Sequence, residues 1–313
     1  MAILTVTLNP ALDLETSTPH VGPGEKLRCA EPKRDPGGGG INVARAVIQL
    51  GGEATALVAA GGPAGGALEE MLTARGVPVE RLPAPGEVRQ NLSVIETETG
   101  KQFRFIFPGP TWTATDLDAV GAALLARAGR GDWLVLSGSL PPGVAPEAQV
   151  ALARKLAGQG VRVVADTSGP GLVALAGARA GLAVLRMDFE ESEALAGHAL
   201  RSVEDSAAFA AELVADGAAE IVILARGAEG SVLASAEGRW TAPAAEVPVV
   251  SRTGAGDSFV AGAVLALSRG LALPDVLGHG CAAASAAVTT AATELCSRET
   301  AERLLPLSAA RAL

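Results

Sequence analysis

Short apolar runs of β type alternate along this chain with Ala- and Leu-rich helical stretches, and this alternation limits the available folds more than any other feature. The β-type runs lie at 3–8, 55–59, 133–136, 161–165, 183–185 and 220–224, with helical segments such as 117–128 and 207–215 between them. Repeated β-α units of this kind close into a mostly parallel sheet covered by helices on both faces. Ligands in such sheets gather beyond the carboxyl ends of the strands. A length of 313 residues, 49% of them apolar, supplies the core that this α/β architecture needs. Aromatic residues make up only 3% and Tyr is absent, so small and aliphatic side chains must meet at close backbone distances.

One stretch breaks the rhythm. Residues 90–96 and 101–107 are β-type runs joined by Thr97-Glu98-Thr99-Gly100, the pattern of a hairpin inserted into the main domain. On its second strand Phe103, Phe105 and Phe107 share one face, and Gln102, Arg104 and Ile106 the other. The Phe stripe either covers the main domain or meets the same element of a second subunit. Upstream, polar and turn-rich residues run over 9–36. Gly37-Gly38-Gly39-Gly40 then leads into helical periodicity at 41–48, which places the glycines at a helix N-terminus.

Charge and composition narrow the function. A formal charge of -9 without a separate basic patch argues against nucleic acid as a partner. No basic segment precedes an apolar stretch near Met1, so the expected location is the cytoplasm. The weakly polar stretch 281–293 is too short and too weakly apolar for a bilayer and is expected to form a buried helix. Cys29, Cys281 and Cys296 read as reduced packing residues. His20, His198 and His279 are scattered, with no spacing that would hold a transition metal.

The strongest local signal is Ser251-Arg252-Thr253-Gly254-Ala255-Gly256-Asp257-Ser258-Phe259, running into the apolar helical segment 260–267. Glycines at a helix start let backbone N–H groups converge, and the helix dipole adds positive potential there. A transferring phosphoryl group would be stabilised in such an anion hole. Asp257 inside it has two readings. It caps the helix that follows, or it accepts the proton of an attacking hydroxyl.

Across Gly254-Ala255-Gly256-Asp257 the loop resembles the C-terminal signature of the PfkB, or ribokinase-like, carbohydrate kinases. Three further matches follow in family order: Thr7-Leu8-Asn9-Pro10-Ala11-Leu12-Asp13, the Gly37 to Gly40 glycines with Asn42, and Ser137-Gly138-Ser139-Leu140-Pro141-Pro142-Gly143. Within the family the chain most resembles the bacterial ATP-dependent 6-phosphofructokinase branch, through Gly24-Glu25-Lys26-Leu27-Arg28-Cys29, Arg89-Gln90-Asn91-Leu92 and Arg104-Phe105. The Gly-x-x-x-x-Gly-Lys-Ser/Thr loop of P-loop kinases is missing, and the dinucleotide pattern Gly-x-Gly-x-x-Gly is not completed at Gly37 to Asn42.

The resemblance implies a single three-layer α/β/α domain over 1–313 with a small antiparallel β lid built from segments 12–35 and 88–108. It implies ATP-dependent phosphorylation of fructose 6-phosphate at its C1 hydroxyl, with Asp257 as base and Gly254, Ala255 and Gly256 as the anion hole. Asp13, Gly38, Gly39 and Asn42 correspond to groups that hold the sugar. Lys26, Arg89, Arg104 and Ser139 correspond to the set around its phosphate. Tagatose 6-phosphate and fructose 1-phosphate are the alternative acceptors. ATP and Mg²⁺ are the implied cofactors, a monovalent cation is a further candidate, and pairing through the lid would give a homodimer.

On the nucleotide side the chain departs from the family. Where Lys-Pro-Asn-x-x-Glu is usual, it has Arg186-Met187-Asp188-Phe189-Glu190-Glu191, with Asp188 and Glu191 keeping the spacing for Mg²⁺ bound through water. The nucleotide loop reads Ala225-Arg226-Gly227-Ala228-Glu229-Gly230 without its usual hydroxyl, so Arg226 and Arg252 become candidate phosphate contacts, beside Thr253. Thr290 stands where close relatives carry an adenine-side Asn. These changes open a reading of another class, a sugar-phosphate sensor that transfers phosphate slowly. The retained Asp257 argues against it, since a binding module needs no base.

Overall fold

A computed structural model describes residues 1–24, 26–291 and 293–313; Glu25 of the motif around Lys26 lies outside the described residues. In chain order the strands are β1 (Ile3–Thr7), β2 (Ala11–Thr18), β3 (Lys33–Gly37), β4 (Thr55–Ala59), β5 (Val79–Leu82), β6 (Arg89–Glu96), β7 (Gln102–Phe105), β8 (Trp133–Ser137), β9 (Arg162–Asp166), β10 (Leu182–Met187), β11 (Ala219–Ala225), β12 (Ser231–Ser235), β13 (Gly238–Ala242) and β14 (Arg311–Ala312). The helices are α1 (Gly39–Gln49), α2 (Gly62–Ala74), α3 (Ala114–Arg127), α4 (Pro146–Gly158), α5 (Gly169–Gly177), α6 (Phe189–Ala196), α7 (Val203–Ala215), α8 (Ala255–Ser268), α9 (Leu273–Ala287) and α10 (Arg298–Leu304).

The main sheet has ten strands in the order β14-β13-β12-β11-β10-β9-β8-β1-β4-β5. Neighbours from β5 to β11 run parallel, and β12 to β14 add an antiparallel edge. The inner parallel strands are buried on both faces because helices cover both, whereas the edge strand β5 exposes Glu80 and Arg81. On β8, Trp133 and Val135 face the layer holding α1, α8 and α9, while Leu134 and Leu136 face the layer holding α3, α4, α5 and α7. The scarcity of aromatics has its expected consequence in the first layer. A Cβ on Gly262 of α8 would lie 2.6 Å from the His279 carbonyl oxygen of α9, so only glycine permits that helix spacing.

A second, four-stranded sheet has the order β3-β2-β6-β7. It consists of two antiparallel pairs, β2/β3 and β6/β7, whose inner strands β2 and β6 run parallel from Ala11 opposite Arg89 to Thr18 opposite Glu96. The stretch 9–36, turn-rich by composition, therefore contains two strands. In β2 the polar residues Asp13, Glu15 and Ser17 alternate with Leu12, Leu14, Thr16 and Thr18, but only two of the inward positions are strongly apolar, so the strand signal is weak and its order comes from pairing with β3 and β6. β7 ends at Phe105, so Phe107 lies beyond the strand, and Phe105 and Phe107 are exposed.

Two other expectations need correction. The helix expected over 281–293 stops at Ala287, where the β-branched series Val288-Thr289-Thr290 begins and the Thr290 hydroxyl lies 2.9 Å from the Ala287 carbonyl oxygen. Cys29 is exposed, whereas Cys281 and Cys296 are buried, and burial pushes the Cys281 thiol up to about 12. Among the described residues no helix is long and apolar enough to cross a membrane, and no group of three or more His, Cys, Asp or Glu side chains is placed to hold a metal ion.

Candidate active site

The carboxyl ends of β1, β8, β9 and β10 open on one edge of the main sheet, and two helix N-termini face it. Gly254, at φ 80° in the left-handed region, turns the loop into α8, whose first turn is Ala255, Gly256 and Asp257. The first amides of a helix have no partner within it, so they are free to meet an anion. Asp257 does not cap α8. Its Oδ2 accepts a hydrogen bond from Asn42 Nδ2 of α1 at 3.0 Å, which joins the two helix starts across the cleft. Burial, followed by the nearby charge of Asp166, raises its pKa to about 7, against the opposing effects of Asn42, Arg186 and Arg45.

Beneath this loop Arg186, a candidate of the nucleotide side, meets a partner that sequence reasoning missed. Asp166, the last residue of β9, accepts from Arg186 Nη1 at 3.1 Å through one oxygen and from Ser137 Oγ at 3.1 Å through the other. Burial works against the charge of Arg186, but Asp166 more than offsets it and the pKa rises. A Cβ on Gly256 would come within 3.2 Å of Arg186 Nη1, so the guanidinium lies directly under the anion hole. A signal was present, since Asp166 ends an apolar strand at the edge where ligands collect. Its partner stands on another strand, and no motif joins the two.

On the acceptor side the small sheet overhangs the ends of β1 and β8. Asp13 of β2 stands in register with Asn91 of β6 and accepts its Nδ2–H at 2.8 Å. Burial raises the Asp13 pKa, while the Asn91 hydrogen bond and the charges of Arg89 and Arg104 pull it back, which places both cations near this carboxylate. Arg89 donates to the Asn9 carbonyl oxygen (3.3 Å from Nη2) and to that of Phe107 (3.2 Å from Nη1). Asn9 in turn donates to Ser139 Oγ at 3.2 Å, tying the hairpin to the loop after β8. Gly38, at φ 133°, caps α1; a Cβ on Gly39 would meet Ser137 Oγ and the Gly138 nitrogen, so backbone packs on backbone there. Asp13, Gly38, Gly39, Asn42, Arg89, Arg104 and Ser139 thus line one region. Lys26 lies on the exposed link between β2 and β3.

The donor side is assembled differently. Asp188 caps α6 in a reciprocal box, accepting from Glu191 N at 2.9 Å while Asp188 N donates to Glu191 Oε2 at 2.8 Å. Each carboxylate keeps one oxygen free. Burial and the charges of Asp188 and Asp166 raise the Glu191 pKa, against Arg186. Asp188 and Glu191 thus each keep a carboxylate oxygen that suits the water shell of a hydrated Mg²⁺ ion, although among the described residues no three such side chains converge to hold a metal directly.

Arg226 corrects an expectation. Its side chain is buried, donates to Glu229 Oε2 (2.7 Å) and to the Leu200 carbonyl oxygen (2.9 Å), and lies 5.1 Å from the centre of the Phe189 ring. These partners pin the turn after β11 and leave no free guanidinium face for a phosphate. Ala225 ends β11, and Gly227 and Gly230 take left-handed φ of 61° and 100° that the turn requires. Arg252 and Thr253 are exposed beside the anion hole. The Thr290 hydroxyl is engaged by the Ala287 and Leu295 carbonyl oxygens, so it faces its own turn.

Comparison with known proteins agrees with this layout. The model of the pfkB family carbohydrate kinases matches residues 8–301. The chain is 38% identical over 307 residues to ATP-dependent 6-phosphofructokinase isozyme 2 of Mycobacterium tuberculosis, covering 98% of this chain and 90% of that one. It is 37% identical to the Escherichia coli protein of the same name over 302 residues, covering 96% of this chain and 97% of that one. The crystal structure of Escherichia coli phosphofructokinase-2 in complex with fructose-6-phosphate superposes with a TM-score of 0.89 at 36% identity, over 97% of this chain and 98% of that one. The two-helix cleft, the glycine loop with its half-buried aspartate and the overhanging small sheet are therefore those of a pfkB family carbohydrate kinase, the family to which this chain belongs.

Proposed function

We propose that the protein transfers the γ-phosphoryl group of ATP to the C1 hydroxyl of fructose 6-phosphate, giving fructose 1,6-bisphosphate and ADP. The observation that carries this reading is Asp257: a carboxylate at the edge of an anion hole, held by Asn42, with a pKa raised to about 7. A base of that strength takes a hydroxyl proton near neutral pH without being so basic that it arrives already protonated.

In the reaction the hydroxyl proton passes to the Asp257 carboxylate as the C1 oxygen bonds to the γ-phosphorus. The bond from that phosphorus to the β–γ bridging oxygen breaks, and ADP departs with its electron pair. The Gly254 to Asp257 amides receive the charge on the transferring group, with Arg186 below them. Arg89, Arg104, Ser139 and Lys26 hold the phosphate already on the sugar, and Asp13, Gly38, Gly39 and Asn42 hold its hydroxyls. Asp188 and Glu191 would hold Mg²⁺ through water, and the ion would offset the charge of the triphosphate. Ala225, Gly227, Gly230, Arg252 and Thr253 border the nucleotide.

The chain acts as one domain, with 12–35 and 88–108 as a lid that excludes water on closing. The exposed Phe105 and Phe107 support pairing of two lids in a homodimer, and a cytoplasmic location suits the reaction. The test is a panel of hexose phosphates with ATP and Mg²⁺, followed by ADP release. Fructose 6-phosphate should give the highest kcat/KM. A higher value for tagatose 6-phosphate or fructose 1-phosphate reassigns the substrate, and binding without any phosphorylated product supports the sensor reading.

A further inference from the structure

Beside the catalytic cleft, on the far side of Asn42, the surface opens into a pocket of about 360 Å³ that no step of the reaction uses. Its walls are β3, α1, the residue after α2 and the 293–294 segment, and three cations line it: Lys33, Arg45 and Arg75. The one buried carboxylate of the wall, Asp35, is shared by two of them, at 2.7 Å from Arg75 Nη2 and 3.4 Å from Lys33 Nζ. Glu294 stands exposed at the rim.

Arg45 is the exception. It is only 6% exposed, and its bonds go to neutral acceptors, the Thr293 carbonyl oxygen at 2.6 Å and Asn42 Oδ1 at 3.3 Å. Among the described residues it makes no ion pair. Burial and the neighbouring charge of Arg75 both act against its cationic form. Asp35 and Asp257 offset this only in part and from a distance, so a buried guanidinium with no direct ion pair remains costly, and an anion placed between Arg45, Arg75 and Lys33 would relieve that cost through charge-assisted hydrogen bonds. The cavity has room for a tetrahedral oxyanion with part of an ester attached.

Arg45 also links this cavity to the reaction. Its Nη1 holds Asn42 Oδ1, and the same amide donates through Nδ2 to Asp257 Oδ2. We propose that the cavity is a second anion site, for an oxyanion of the phosphate class, whose occupancy acts on the catalytic base through Arg45 and Asn42. An anion there draws the guanidinium away from Asn42 and cancels part of the positive field that keeps Asp257 ionised. Both effects lower turnover.

Calorimetry with inorganic phosphate and the whole protein, without nucleotide, tests the site. In Arg104→Ala, where the acceptor's own phosphate subsite is weakened, phosphate should still bind, and adding Arg75→Gln should weaken that binding about tenfold or more. Lys33→Gln, at an exposed position, provides the same test if Arg75→Gln does not fold. In wild-type kinetics phosphate should lower kcat about fivefold, and Arg75→Gln should remove that effect. The proposal fails if both cavity variants bind phosphate as the Arg104→Ala protein does. It fails equally if phosphate raises only the KM for the sugar, which places the ion in the acceptor subsite. The calorimetric arm holds whatever sugar the enzyme accepts.

Discussion

The two halves of the cleft carry opposite charge. Around the sugar, Arg89 and Arg104 outnumber Asp13, and the ties among Asn9, Asn91 and Ser139 connect the small sheet to the main one. Around the nucleotide, Asp166, Asp188 and Glu191 outnumber Arg186, and Arg226 is committed to holding its own turn. The difference follows from what each half receives. A sugar phosphate is a bare dianion and needs cations from the protein. A triphosphate comes with a divalent ion, so under the proposed function carboxylates on that side would bind the hydrated ion and need not repel the nucleotide. On that reading the departures on the donor side would suit metal-bound ATP.

The largest test of this contrast lies where the halves meet. Asp257→Asn should lower kcat by about two to four powers of ten with little change in either KM. Wild-type kcat/KM should rise with pH through about 7, where Asp257 of the free enzyme ionises, and the variant should lose that limb. A stability effect accompanies it. The folded pKa lies above the ordinary carboxylate value, so the wild type gains stability as pH falls through about 7, and at higher pH an ionised, half-buried Asp257 destabilises it. The variant should therefore exceed wild type in Tm most clearly at pH 8, with the gap closing toward pH 4.

On the acceptor half alone, Arg104→Ala should raise the KM for fructose 6-phosphate about tenfold to a hundredfold while the KM for ATP stays within about twofold. The reverse pattern would remove Arg104 from the sugar side. Arg226→Ala addresses the donor half. It should cost about 1–3 kcal/mol in denaturant unfolding, because the Leu200 carbonyl and Ser206 lose their buried donor, and leave the KM for ATP nearly unchanged. A large rise in that KM with normal stability would return Arg226 to the phosphates. The smallest effect is expected from Asp188→Asn, which should keep the cap on α6, reduce the negative charge facing the nucleotide, and shift the Mg²⁺ dependence of kcat/KM severalfold.

How much of this was legible in the sequence depended on whether a residue's partner is local. The strands of the main sheet carry their own apolar signal, and the glycine loop with Asp257 marks its helix start without help. β2 and β3 gave no such signal, since half of β2 is polar and its partners lie on strands elsewhere in the chain. Asp166 and Arg186 meet across adjacent strands, and the Arg45 to Asn42 to Asp257 relay joins two helices distant in sequence. Arg226 looked available because its buried acceptors, Leu200 and Ser206, lie 26 and 20 residues away.

The contrast among the three thiols has a practical consequence. Cys281 and Cys296 are shielded from reagents, while Cys29 stands in the open on the same connecting segment as Lys26. A single environment-sensitive dye attached there, without engineering any other position, would sit on the proposed lid and test directly whether it opens and closes.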